Sequence, residues 1–227
     1  MSMPYYVSPE QVMKDRADYA RKGIARGRSL AGLSYQDGIV LVAENHSRTL
    51  HKVSEIYDRI AFAGVGRYNE FDQLRIAGVR AADMRGYSYS REDVDARSLA
   101  NSYAQMLGQV FTHEMKPLEV EILVAEVGWT NDPADDRMFH LLYDGTVVDE
   151  QGFTVLGGDS ETIGGRLKEG YQPGMALGAV VSLAAKAIAG PDRALGENEL
   201  EVAVLERALD GRSFRRIEGD QLTALLS

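Results

Sequence analysis

The chain has 227 residues, 44% of them hydrophobic, which is enough to fill the core of one large domain or of two small ones. Its 25 basic residues are outnumbered by 34 acidic ones, for a formal charge of −9, and no cluster of Lys and Arg is free of carboxylates, so nucleic acid and anionic membrane are excluded as main partners. No apolar run reaches the roughly 18 to 20 residues that span a bilayer, the start MSMPYYVSPE has neither the basic nor the apolar part of a signal peptide, and without cysteine there is no disulfide or thiol chemistry; a soluble cytoplasmic protein is the expectation.

In chain order, Ser8 is placed to cap a first helix over residues 8–26, with Pro9 at the first helical position and Gln11 completing a capping box. Met13, Ala17, Ala20 and Ile24 recur on one face, and Lys14, Asp15, Asp18, Arg21 and Lys22 occupy the other. Such a narrow stripe of small residues suits a helix on a domain surface or against a neighbouring subunit.

Residues 29–35 and 39–44 are aliphatic runs around Gln36-Asp37-Gly38, and Asp-Gly in that setting predicts a hairpin whose type I′ turn takes positive φ at both central residues. A second hairpin, residues 51–56 and 59–64, turns on Tyr57-Asp58. Asn69 is expected to cap a helix that ends at Gly86, and a loop over 86–90 leads to a second helix over about 94–113. A strand over 118–127, an exposed turn at 131–136 and a hairpin of 138–143 with 146–148 follow. The strand 151–156 breaks at Gly157-Gly158 into a helix starting near Asp159 or Ser160. Residues 175–189 form a helix apolar almost all round and therefore sandwiched, strands 200–205 and 213–217 flank Asp210-Gly211, and Asp220 caps a last short helix. Strands grouped into hairpins, with helices in pairs, imply antiparallel sheets under helical layers rather than βαβ units. The fold class is α+β, a four-layer α-β-β-α sandwich, and with no linker rich in Gly, Pro or Ser the residues 1–227 read as one domain.

Reactive motifs are scarce. His46, His51, His113 and His140 show no metal-ligand spacing, so no metal is expected. There is no phosphate loop and no nucleophile elbow, and Gly64-Val65-Gly66 lacks the third glycine of a dinucleotide fingerprint, so no cofactor is expected either. Gly157-Gly158-Asp159-Ser160 could cradle an anion at a helix start, although a tight turn into a capped helix is the simpler reading.

Ser8-Pro9-Glu10, Asp18-Tyr19-Ala20-Arg21-Lys22-Gly23-Ile24 and Arg26-Gly27 resemble the amino-terminal signature of proteasome α subunits. The resemblance continues through the Asp37-Gly38 hairpin, the block containing Lys52 and Asp58, and the Gly157-Gly158 turn, and the short start is similar to the actinobacterial branch. It implies the same four-layer fold, that of the amino-terminal nucleophile hydrolases. In the catalytic β subunits of that fold, cleavage after a Gly exposes a Thr that attacks the peptide carbonyl, helped by its own amine. Counting from Gly32, the nucleophile position falls on Arg28, which offers only donors, the Asp position on Glu44 and, with a gap, the Lys position on Lys52. No Gly-Thr or Gly-Ser junction precedes the first strand. The resemblance therefore implies a subunit that is not an enzyme; the alternative is a self-processed threonine or serine peptidase of the β type.

By the same resemblance, seven copies form each outer ring of a 20S core, two such rings flank rings of β subunits, and an AAA ATPase ring feeds in unfolded proteins tagged with a small ubiquitin-like protein. Met1, Ser2, Met3, Pro4, Tyr5, Tyr6 and Val7 would form the pore gate, with Pro9 and Tyr19 as its support. Lys52, with backbone near Gly66 and with Arg26 as a basic neighbour, would receive the carboxyl terminus of an activator ending in a hydrophobic-Tyr-x pattern.

Overall fold

The computed structural model describes residues 8–130, 132–208 and 211–226; the expected gate residues 1–7, Asn131 and Asp210 lie outside them. Two antiparallel five-stranded sheets lie face to face. The first has the order β10-β9-β2-β1-β8, from β1 (Leu30–Tyr35), β2 (Gly38–Glu44), β8 (Phe153–Leu156), β9 (Leu200–Glu206) and β10 (Phe214–Ile217). The second runs β3 (Val53–Tyr57), β4 (Ile60–Gly66), β5 (Val120–Glu126), β6 (Arg137–Leu141), β7 (Val147–Glu150).

Side chains alternate across each strand with period two, and in β1, β2, β4, β5 and β9 both sets are largely buried, whereas β7 is mostly exposed. In β2, Val40 and Val42 face a helical layer of α4 (Ser160–Gly170), α5 (Leu177–Ala189) and α6 (Gly219–Leu226), while Ile39, Leu41 and Ala43 face the other sheet. In β5, Val120, Ile122 and Val124 face α2 (Tyr68–Ser88) and α3 (Ala96–His113), while Leu123 and Ala125 point between the sheets. Burial on both faces is why these strands read as unbroken apolar runs. The result is the expected four-layer sandwich. α1 (Pro9–Ala25) belongs to neither outer layer: its only buried residues, Ala20 and Ile24, enter the cluster between the sheets.

Local expectations differ from the structure at several turns and caps. The first hairpin turns on Gln36-Asp37, with Tyr35 paired to Gly38, and no described residue other than glycine has positive φ, so the type I′ turn is absent. The second turns on Asp58-Arg59, with Tyr57 opposite Ile60 after a bulge. Only half of the capping box forms: the Gln11 N–H donates to Ser8 Oγ at 3.2 Å, but the Gln11 amide turns away to Asp15. α2 starts one residue before Asn69, from Arg67, and runs through Gly86; a Cβ there would collide with the Tyr57 hydroxyl, so this glycine makes room for a neighbour and does not end the helix. α3 is capped by Asp95, which accepts from the Ser98 N–H at 2.8 Å. In the 131–136 segment Asp136 is buried in an ion pair with Arg207 rather than exposed. Among the described residues no helix is long and apolar enough to cross a membrane.

Candidate functional site

The functional residues expected at the start of the sandwich are brought together by the first hairpin and by the start of β3. Arg28 lies two residues before β1, Glu44 ends β2, and residues 45–52 return the chain to β3. Antiparallel pairing carries the ends of β1 and β2 to the same edge, where the Glu44 N–H donates to Ser29 O at 3.0 Å. The Arg28 Nε lies 3.4 Å from Glu44 Oε1. The Lys52 ammonium donates to the Arg28 carbonyl oxygen at 2.6 Å. Arg28, Glu44 and Lys52, to which the resemblance assigns the nucleophile, acid and lysine positions, are thus adjacent.

The surroundings of this trio are cationic. Glu44, almost buried, takes two bonds from Arg193, at 3.0 and 2.7 Å, which sequence spacing could not foresee because Arg193 follows α5. That forked contact, followed by those to His46 and Arg28, holds its carboxyl below the usual carboxylate range. Lys52 is half-buried, and desolvation brings its amine down to about 8 against the opposing pull of Glu201 and Glu44. Ser29, the one hydroxyl next to Arg28, is buried and donates to Gly157 O at 3.4 Å; among the described residues no base is bonded to it.

Gly157 and Gly158, both at positive φ, make the turn into α4, and a Cβ on Gly158 would collide with Ser29 Oγ. The Gly157 N–H is already bonded to Glu121 Oε2 at 3.1 Å, and Asp159 caps α4 through the Thr162 N–H. The tight-turn reading of this motif holds over the anion cradle.

Gly66 ends β4 at φ +103°, where a Cβ would strike Glu119 O. A Cβ on Gly27 would stand 3.3 Å from the Gly66 N, so the end of α1 and the end of β4 are in close approach. Arg26 is exposed and its backbone N–H closes α1 by donating to Ile24 O. Pro9 occupies the first turn of α1, and Tyr19 is 45% exposed with the Lys116 ammonium over its ring. Sequence reasoning missed Glu119, whose buried carboxylate pairs with Arg67 and Lys116 directly under Gly23 of α1. Chemically, an ammonium near exposed arginines has donors that can pair with a carboxylate. Among the described residues no group of three or more His, Cys, Asp or Glu could hold a metal ion.

Comparison with known proteins shows the family. Residues 24–205 match the model of the family described as "Proteasome subunit". "Proteasome subunit alpha" of Acidimicrobium ferrooxidans is 60% identical over 226 residues, covering 100% of this chain and 97% of that protein. The proteins of the same name from Sanguibacter keddieii and Xylanimonas cellulosilytica are 59% and 57% identical, covering 100% and 98% of this chain and 90% and 95% of those proteins. The chain belongs to the proteasome family, as an α subunit of the 20S core in its actinobacterial branch.

Proposed function

We propose that the chain is a non-catalytic ring subunit that admits substrate to a proteolytic chamber built by other chains. The observation that carries this reading is the occupant of the reacting position: Arg28 has its guanidinium beside Glu44 and its carbonyl bonded to Lys52, so the side chain at that position offers no nucleophile. Seven copies form each outer ring, β subunits form the inner rings, and residues 1–7 close the axial opening, with Pro9 and Tyr19 bracing the helix behind them. Exposed Val12, Met13 and Tyr19 on α1 support a subunit contact along this helix.

Lys52, together with Gly66 and Arg26, receives the terminal carboxylate of an AAA ATPase activator that delivers unfolded, tagged proteins in the cytoplasm. Supporting this are the placement of the Lys52 ammonium at 2.6 Å from a carbonyl rather than in a carboxylate pair, and the exposure of Arg26 and Arg28. The decisive experiment co-expresses the chain with a β subunit and combines electron microscopy with intact mass. Sevenfold rings with the leader retained are expected; cleavage before Arg28 or Ser29, with peptidase activity from this chain alone, would establish the β-type alternative instead.

A further inference from the structure

The lysine of the proposed pocket is held from behind by a residue from a distant strand. Glu201, on β9, is 9% exposed. Its Oε2 accepts from the Lys52 backbone N–H and from Asn45 Nδ2, both at 2.8 Å. Its Oε1 accepts from the Val53 N–H at 3.2 Å and from Arg216 Nη1 at 2.7 Å, with His51 Nδ1 at 3.2 Å. Asn45 Nδ2 also donates to Leu50 O at 2.8 Å, and Arg216 Nη2 to Val53 O at 2.6 Å. One carboxylate therefore gathers the beginning of the 45–52 link, its end, and the first residue of β3. A carboxylate offers about four acceptor sites, and these are saturated by the donors present.

Two successive backbone N–H groups converge on this carboxylate, which leaves the chain at Lys52 and Val53 one orientation and so fixes where the Lys52 side chain departs. β3 belongs to the second sheet and β9 to the first, so the contact also ties the two sheets together at the edge where Arg28 lies. Resting on the docking reading above, we propose that Glu201 is a positioning residue for the carboxylate pocket: it orients the 45–52 link so that the Lys52 ammonium stands at the Arg28 carbonyl, poised for the terminal carboxylate of a partner peptide. Glu201 does not touch that peptide. Its negative charge also holds a proton on Lys52 against the cost of burial.

The test uses assembled rings of the full chain with its β partner, and a labelled synthetic peptide ending in hydrophobic-Tyr-x. Glu201→Gln keeps the shape and removes the charge. In intact rings it is expected to weaken peptide binding about tenfold, the scale of a charge-assisted contact, and to move the pH profile of Lys52 acetylation, read by mass spectrometry, to lower pH. A merely structural Glu201 would reduce ring yield without moving that profile. Rings of Glu201→Gln that keep the wild-type Lys52 profile overturn the proposal, whatever their affinity. Lys52→Met separates the two readings: if its rings bind the peptide like wild type, the docking assignment falls, and the Lys52 profile still decides whether Glu201 positions the lysine. Should Glu201→Gln form no rings, Arg216→Gln is expected to speed amide exchange at Lys52 and Val53 and to weaken peptide binding; unchanged exchange and binding overturn the proposal.

Discussion

The Lys52 ammonium is bonded to the backbone carbonyl of Arg28 at 2.6 Å, not to a carboxylate, although Glu44 is bonded to that same arginine's side chain. An ammonium whose nearest partner is a neutral dipole keeps most of its attraction for an incoming anion. Burial also lowers the amine of Lys52 toward neutrality, so the proposed docking is expected to depend on pH.

Burial brings the Lys52 amine to about 8, so the ammonium is present below that pH and is lost above it. Binding of a peptide ending in hydrophobic-Tyr-x should fall as pH rises through about 8, approaching tenfold per unit. Lys52→Arg, which stays protonated throughout, should abolish this step. Fluorescence anisotropy over a pH series checks it, and an identical step in Lys52→Arg would assign the titration to another group. Stability carries the opposite sign. The unfolded chain holds more protons between about 8 and the ordinary lysine value of 10.5, so the fold gains from Lys52 as pH rises through that window.

Glu44 predicts the acid limb of the stability curve. Its folded carboxyl titrates below the ordinary value, chiefly through Arg193, so its contribution is fully present above the ordinary carboxylate range and disappears as pH falls through the lowered one. Glu44→Gln should cost about 1–3 kcal/mol near neutrality, since two guanidinium groups lose a charged acceptor, and should cost progressively less at acid pH. Thermal melts of both proteins across that range should converge at the acid end; parallel curves would show that Glu44 is not the group responsible.

Gly158 sits at φ +54° with no room for a Cβ beside Ser29 Oγ. Gly158→Ala should therefore destabilise by about 1–3 kcal/mol from backbone strain alone, with the clash added. Pairing it with Ser29→Ala should recover the clash and leave the strain, so the double variant is expected between wild type and Gly158→Ala in denaturant midpoint. Additive losses instead would mean that the two residues do not meet.

The layers of the fold were legible because the strands carry their burial in composition: Ile39 to Ala43 is apolar on both faces, and only a strand covered on both sides needs that. Turn chemistry was less legible. Asp37-Gly38 has the composition of a positive-φ turn, yet the pairing of Tyr35 with Gly38 shifts the loop back one residue and puts the glycine in the strand. Of the site, Arg28, Glu44 and Lys52 could be read because they lie on one hairpin and its return, at spacings that the resemblance supplies. Arg193, Glu119 and Glu201 could not. They reach the site from other elements, Arg193 and Glu201 after crossing about two thirds of the chain, and no local pattern marks a glutamate whose partners are backbone N–H groups from another sheet.

At the opposite end of the sandwich, the side chains of Asp136 and Arg207 are each 5% exposed and paired at 2.6 Å. Arg207 also donates to Gln36 O, and its own carbonyl accepts from Arg59 at 3.1 Å. Burial nonetheless raises the Asp136 carboxyl above its ordinary value, so desolvation outweighs the pull of Arg207, and the pair fixes the arrangement of the loops more than it stabilises the fold. Arg207→Met leaves the carboxylate buried without its cation and should cost about 3–5 kcal/mol. Because the folded carboxyl then holds its proton to still higher pH than the unfolded one, the variant should regain stability as pH falls, whereas wild type should show a weaker trend. Adding Asp136→Asn to Arg207→Met should restore much of the loss at neutral pH and remove the trend. Denaturant midpoints at two pH values measure all three proteins, and a pH-independent loss in Arg207→Met would show that packing, not the stranded charge, sets its cost.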